Sequence, residues 1–366
     1  MTVHSRIQSL DLFRGLVMFL LVAEGTHLYH YLLEAAHEGT FYYQVILQLH
    51  HHPWNGLRFW DLVQPFFMFI VGAAMWFSVK KRTQIGQSSR QITQHIIKRS
   101  LILLALGVGL HIGYSGKMVW ELWNVLSQLS ITILIAYAIM KWSNRNQLLM
   151  SIGLLVLTEL LYRFSGIAGY DQPFVKDHNF GSFMDMILMG KLNNGGGWVA
   201  INAIPTTAHT IWGVLAGKLL STEKTHNKKV MLLLLSGVSM LVVGYVLDWT
   251  SITPIIKRIC TSSFVIASGG WSLIALAFSY WLIDVKHQKG WIKMFVIVGM
   301  NSIFIYIFMN TIGHAWLVPF TFVFTNGIFF FTGLQEGMHV LNAFISLGIA
   351  WSLTYWLYKN KIFIRI

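Results

Sequence analysis

Apolar runs close to twenty residues long, each closed by charged or glycine-rich punctuation, recur along the whole chain. A bilayer core about 30 Å thick calls for roughly 20 mostly apolar residues per helix. On that template the pattern predicts ten spans, at about 9–32, 58–79, 94–114, 119–141, 146–165, 200–221, 228–248, 259–284, 291–318 and 338–358. The expected fold class is all-α: a polytopic helical membrane protein forming a single domain over residues 1–366. The ninth run is long and interrupted at Gly299, so a broken helix or a short re-entrant turn is expected there. The Phe- and Gly-rich stretch 319–333 is too short for a separate span and reads as a candidate re-entrant segment. The first run lacks a small-residue cleavage site and carries Asp11, Arg14 and Glu24, so it reads as a retained span. Two connectors, 33–57 and 166–199, are longer than a link needs. Within the first, the aromatic run from Phe41 to Leu49 suggests an ordered, interfacial helix.

Composition strengthens this picture. The chain is 55% hydrophobic and only 11% charged, where a soluble domain carries about 25% charged residues. A lone Cys260 excludes an internal disulfide, a cysteine zinc site and an iron–sulfur centre. The net charge of +13 would suggest nucleic acid in a soluble protein. Here the charges sort by side instead. One set of loops holds Arg6, Lys80, Lys81, Arg82, Arg90, Lys98, Arg99, Lys141, Arg145, Lys218, Lys224, Lys228, Lys229, Lys286, Lys289, Lys293, Lys359, Lys361 and Arg365. The other holds only Arg58, Lys117, Arg163, Lys176, Lys191, Lys257 and Arg258. The positive-inside rule then places both termini in the cytoplasm and connectors 33–57 and 166–199 outside, and no nucleic-acid partner is needed.

Ionisable groups inside spans cost roughly 2.5–3.5 kcal/mol each on insertion scales, so they are functional candidates by default. Asp11 and Arg14 lie three apart on one helix face; they form either a neutralised anchor pair or a contact for a cytoplasmic anion. Glu24, more than two turns deeper, is protonated, paired with another helix, or lining a wet cavity. The tract His50-His51-His52-Pro53-Trp54-Asn55-Gly56 precedes Asp61 at the start of the second run. Adjacent histidines seldom all face one metal ion. The other readings are a solvated tract, or one imidazole acting as base or nucleophile with Asp61 or Glu24 orienting it. Gln128, Asn301 and Ser302 are polar positions inside spans, available for helix–helix hydrogen bonds or for a ligand.

At these residues the chain resembles the heparan-alpha-glucosaminide N-acetyltransferase family, in particular a short bacterial branch without the lumenal domain. The resemblance rests on SLDLFRG at 9–15, HHPWNGLRFWDLVQPFFMFIVGAAM at 51–75 and WNVLSQL at 123–129. IPTTAHTIWGVLAG at 204–217, TSSFVIASGGWSLIALAFSYWLIDV at 261–285 and GMNSIFIY at 299–306 follow in order. It implies an acetyltransferase of the bacterial inner membrane that takes acetyl from cytoplasmic acetyl-CoA, without a metal, and passes it to an amino sugar or glycan amine outside. The family's essential histidine, three residues before the Trp, falls on His51. Glu24 stands where animal members have asparagine, which puts the acceptor in doubt. On this reading Arg14 and Arg99 meet the CoA phosphates, while Gln128, Asn301 and Ser302 line the donor path, Asn301 as an oxyanion donor. Bacterial relatives are also associated with N-acetylglucosamine use, so a transporter of that sugar is the alternative function; a homodimer is left open.

The topology is open to a direct check with Glu38→Cys and Gln87→Cys variants. A membrane-impermeant maleimide applied to intact cells is expected to label position 38 and spare position 87. Labelling at 87 with protection at 38 contradicts the assigned orientation.

Overall fold

The computed structural model describes residues 7–193, 195–288, 290–330 and 336–364. Arg6, Lys289 and Arg365 of the charge tally, and residues 331–333 of the candidate re-entrant stretch, lie outside the described residues. In chain order the helices are α1 (Gln8–Gly25), α2 (Leu28–Glu34) and α3 (Phe41–Leu47). A 3-10 turn at Phe59–Leu62 leads into α4 (Val63–Gln84), followed by α5 (Ser89–Ser115), α6 (Val125–Ile139), α7 (Asn144–Phe164) and α8 (Phe180–Met189). A second such turn, Ala200–Asn202, opens α9 (Ala203–Leu220); then come α10 (His226–Trp249) and α11 (Ser262–Tyr280), which ends in a π-helical turn, Trp281–Val285. The rest is α12 (Ile292–Met300), α13 (Ser302–Phe308), a π-helical segment Met309–Leu317, α14 (Val318–Phe330) and α15 (Glu336–Lys359).

Every predicted run contains a helix, and among the described residues the fold is all-α apart from one isolated bridge between Asn55 and Ile256. Seven of the described helices are long and apolar enough to cross a membrane, or eight if α1 and α2, bent by 61° at their junction, make one span. The chain is thus an integral membrane protein. α6, with 15 residues, is short for a span, and α9 is lined with Thr206, Thr207, His209 and Thr210. The ninth run differs from expectation in detail. Its break comes at Asn301, after which one helical stretch continues from Ser302 to Phe330. Residues 319–330 continue the same helix, which is long and apolar enough to cross a membrane, so no turn separates them from the ninth run.

The chain divides into two compact units. The second, of His52–Leu57 and Asp61–Phe278, is organised around α9, which packs on α4, α6 and α7. A helix buried on nearly all faces must satisfy its polar groups internally. Thr206 and Thr207 hydroxyls donate to the Asn202 and Ala203 carbonyls, His209 Nε2 meets Ser268 Oγ at 2.9 Å, and Trp212 Nε1 donates to Ser151 Oγ at 3.0 Å. Lipid tails are as apolar as the side chains they would replace, so close van der Waals approach has to hold such helices together. Glycines permit it: a Cβ on Gly72 would lie 2.0 Å from the Thr210 carbonyl oxygen, and one on Gly213 2.0 Å from that of Phe69.

The first unit runs to His51 and adds Arg58–Trp60 and the chain from Ser279 onward. Here α1 packs on α12, again backbone to backbone: a Cβ on Gly15 would sit 2.2 Å from the Phe295 carbonyl oxygen. The α1 N-terminus is tied down by Asp284, whose carboxylate accepts the Ser9 N–H at 3.1 Å. α14 and α15 are joined by polar contacts, Thr321 Oγ1 to Ser346 Oγ at 2.7 Å and Asn342 Nδ2 to the Val318 carbonyl at 3.2 Å.

In an open helix Gly→Ala gains about 0.5–1 kcal/mol, but at the α4–α9 contact overpacking should reverse the sign and cost about 1–3 kcal/mol or more. Gly213→Ala is expected to lower the melting temperature in detergent by several degrees. Gly153→Ala on α7, where an added Cβ meets nothing within 4 Å, is expected to leave it unchanged or raise it. Equal melting temperatures for the two variants contradict the close packing.

Candidate functional site

The three adjacent histidines, equivalent on paper, have different surroundings. His50 Nδ1 lies 3.2 Å from the Ile46 carbonyl and thereby extends the end of α3. The His52 ring packs over Gly56, where a Cβ would come within 2.5 Å of Nε2 and where φ is +143°. His51 stands against Trp60, ring centroids 6.4 Å apart, and its carbonyl accepts the Arg58 Nη1–H at 2.9 Å. Trp60 is itself buried, edge-on to Tyr29 at 5.2 Å, and its N–H bonds the Gln48 carbonyl at 2.9 Å. These contacts tie residues 48–51 to residues 58–60 within the first unit.

In the second unit, residues 52–57 are anchored by backbone and indole. Trp54 Nε1 donates to the Phe174 carbonyl at 2.8 Å, Gly56 N–H to that of Ile255 at 2.8 Å, and Asn55 bridges to Ile256. Asp61, 1% exposed, accepts the His52 N–H at 3.1 Å and faces Lys257 Nζ at 3.6 Å. Lys257 and Arg258 each lie 5.5 Å from the Trp198 ring centroid, and Arg258 Nη1 donates to the Gly196 carbonyl at 2.5 Å. Burial lowers the Arg258 pKa and the Asp61 carboxylate opposes that shift. Cys260, two residues on, is fully buried.

The other expected residues sit as follows. Glu24 is exposed near the end of α1, just before the bend at Thr26–His27, and close enough to act electrostatically on Tyr29. Arg14 pairs with Asp11 at 3.0 Å, as its i,i+3 spacing suggested. Arg99 is half-buried on α5. Gln128, buried, accepts from Gln64 Nε2 at 2.5 Å, a helix–helix bond from α6 to α4. Asn301 has a different job from the expected oxyanion donor: its Nδ2 donates to the Ile362 carbonyl at 3.0 Å and its Oδ1 accepts the Ile364 N–H at 2.9 Å. That amide fastens the chain after α15, and Ser302 opens α13 beside it. Within the first unit the structure links His51, Trp60 and Tyr29, and places Glu24 near Tyr29.

Sequence reasoning missed several participants. Lys257 is one, and another is the network of Glu121, which pairs with Lys191 at 2.5 Å and His111 at 2.6 Å. Burial alone would raise the Glu121 pKa, but these partners together hold it below the usual carboxylate range. Nearby, Asp185 accepts from Trp123 Nε1 at 2.7 Å and the Ala200 N–H at 2.8 Å. The signal was present in the charge map. A basic residue assigned to the side that disfavours positive charge needs a reason to be there. Arg58, Arg163, Lys191, Lys257 and Arg258 each have a contact within the protein. His27 Nε2, 3.0 Å from His314 Nδ1 in the π-helical segment, also went unpredicted.

The sequence profile described as heparan-alpha-glucosaminide N-acetyltransferase, catalytic, matches residues 6–247, well over half the chain. The chain belongs to this family. A relative named heparan-alpha-glucosaminide N-acetyltransferase, from Homo sapiens, is 24% identical over 428 residues, covering 99% of this chain and 60% of the relative. One of the same name from Mus musculus is 32% identical over 104 residues, 28% of this chain and 14% of the relative. The chain therefore spans about 60% of the length of the human heparan-alpha-glucosaminide N-acetyltransferase. The family match takes in Arg14, Glu24, His51, Asp61, Arg99 and Gln128, and ends before Lys257, Asn301 and Ser302.

Asp185, on α8 outside the spans, has its pKa raised to about 6, chiefly by burial, against the lowering effect of its two hydrogen bonds. A carboxyl whose folded pKa exceeds its unfolded one binds more protons when folded. Its contribution to stability is thus fully present below the ordinary carboxylate value near 4 and is lost as pH rises through about 6. Asp185→Asn removes that dependence. The melting temperature of the variant minus that of the wild type is expected to increase between pH 5 and pH 7; a constant difference contradicts the shift.

Proposed function

We propose that this protein is an acyl-CoA-dependent N-acetyltransferase of the bacterial inner membrane. Acetyl-CoA is taken from the cytoplasmic side, and the acceptor is an amino sugar or glycan amine presented from the outer side. Family membership over the histidine loop carries the reading, and the basic excess assigned to the cytoplasmic side, with both termini there, supports it. CoA is polyanionic, so basic residues assigned to the cytoplasmic side are the candidates for its phosphates, Arg14 in the first unit and Arg99 in the second.

Acetyl transfer joins the acceptor nitrogen to the thioester carbonyl carbon and breaks the carbon–sulfur bond. An acceptor that arrives as an ammonium must lose two protons to become an amide. One ends on the CoA sulfur and the other leaves the site. An imidazole, with an ordinary pKa near 6.5, suits both transfers. His51 is assigned this role, either as base for direct attack or as a nucleophile that first carries the acetyl group itself. Glu24, on the same unit, is assigned to the acceptor's ammonium. Asp61 steadies the loop from the position next to His52.

Three single variants test the assignment. His51→Ala is expected to fold, to bind acetyl-CoA as the wild type does, and to lose turnover at least about a hundredfold, the lower end for general acid–base catalysis. His50→Ala and His52→Ala, which lose packing contacts, are expected to lose thermal stability while keeping most of their turnover. Near wild-type transfer by His51→Ala, or equal losses in all three, would contradict the mechanism.

A further inference from the structure

Among the described residues of the second unit, Asp61 and Lys257 form a buried ion pair, 1% and 6% exposed on their side chains. Apolar packing of equal volume would hold two segments together without the desolvation penalty that buried ions incur. A fixed carboxylate supplies something packing does not, namely a hydrogen-bond acceptor held at one position. Here that acceptor takes the N–H of His52 at 3.1 Å, the peptide nitrogen directly joined to His51.

The support behind the carboxylate is layered. Lys257 is kept in place by the Trp198 ring, a cation–π contact that weakly hydrated surroundings strengthen. Arg258 approaches the same ring and reaches the Gly196 carbonyl; a Cβ on Gly196 would fall 2.1 Å from its guanidinium. The peptide that follows Pro254 returns to the histidine loop through Ile255 and Ile256, whose backbones bond Gly56 and Asn55. Lys257 therefore acts on the loop twice, by charge through Asp61 and by backbone through its own neighbours.

We propose that Lys257 is a positioning residue for acetyl transfer: its ammonium fixes the Asp61 carboxylate, which fixes the His52 amide and with it the backbone that carries His51. The inference rests on the functional reading above and assigns a role to a residue beyond the span of the family match. It also recasts Asp61 as an anchor of the loop backbone.

The test compares Lys257→Met, Lys257→Arg and the double variant Asp61→Asn/Lys257→Met in the full-length protein. Two readouts are used: steady-state transfer, and hydrogen–deuterium exchange of peptides covering residues 50–58. Lys257→Met is expected to lower kcat at least about tenfold with the KM for acetyl-CoA within about twofold, and to speed exchange at the His52 amide. Lys257→Arg, which restores the positive charge, is expected to recover most of the kcat. The double variant leaves an uncharged acceptor for the His52 N–H and is expected to exceed Lys257→Met in kcat and in folded yield, so it carries the test if Lys257→Met does not fold. Unchanged kcat and exchange in Lys257→Met overturn the proposal. So does an arginine variant as impaired as the methionine one, or a double variant no better than the single. Absence of transfer in the wild type would instead refute the functional reading, and the exchange data would still decide whether Lys257 holds the loop.

Discussion

Inside a bilayer there is no water to satisfy a polar group, so backbone amides and buried polar side chains are under pressure to find partners within the protein. That constraint shapes both units. It turns Thr206 and Thr207 of α9 back on the carbonyls of Asn202 and Ala203 and pairs His209 with Ser268. It puts Gln128 against Gln64. Backbones approach one another most closely where side chains are absent, as at Gly72 and Gly213 in one unit and Gly15 in the other.

The same constraint explains what could be read from the chain. Spans were legible because roughly twenty apolar residues in a row have few other uses, and each predicted run contains a helix. Breaks were harder. Gly299 drew attention as an interruption, but its missing side chain serves the contact with Gly15, and the helix breaks at Asn301, whose amide is spent on residues 362 and 364. The bend at His27, at φ 61°, has no glycine or proline at that position to announce it. Residues 319–330 looked too short for a span only because the start of their helix had been assigned to the run before.

The candidate site was legible in part. His51 was singled out by family resemblance, since nothing in three adjacent histidines separates them by pattern. The separation comes from how the loop folds back on its own near neighbours, Trp60 against His51 and Gly56 against His52. Asp61 was visible as a carboxylate at a span entrance, but its cationic partner lies 196 positions later (257 − 61), and no local periodicity links the two. Charge sorting came closest, by marking Lys257 and Arg258 as residues on the side that should have few of them. On the proposed function, these long-range contacts hold a short loop still at the point where an acetyl group changes hands, and misplacement by about 1 Å there is enough to cost two orders of magnitude in rate.

The central claim is that an acetyl group crosses the membrane plane through this protein. Purified protein reconstituted in sealed vesicles, with an amino sugar trapped inside and acetyl-CoA labelled in its acetyl group added outside, measures that directly. N-acetylated, labelled sugar accumulating in the lumen, with matching release of free CoA outside, is the predicted result. Escape of unmodified sugar from the vesicles, or consumption of no acetyl-CoA at all, would contradict it.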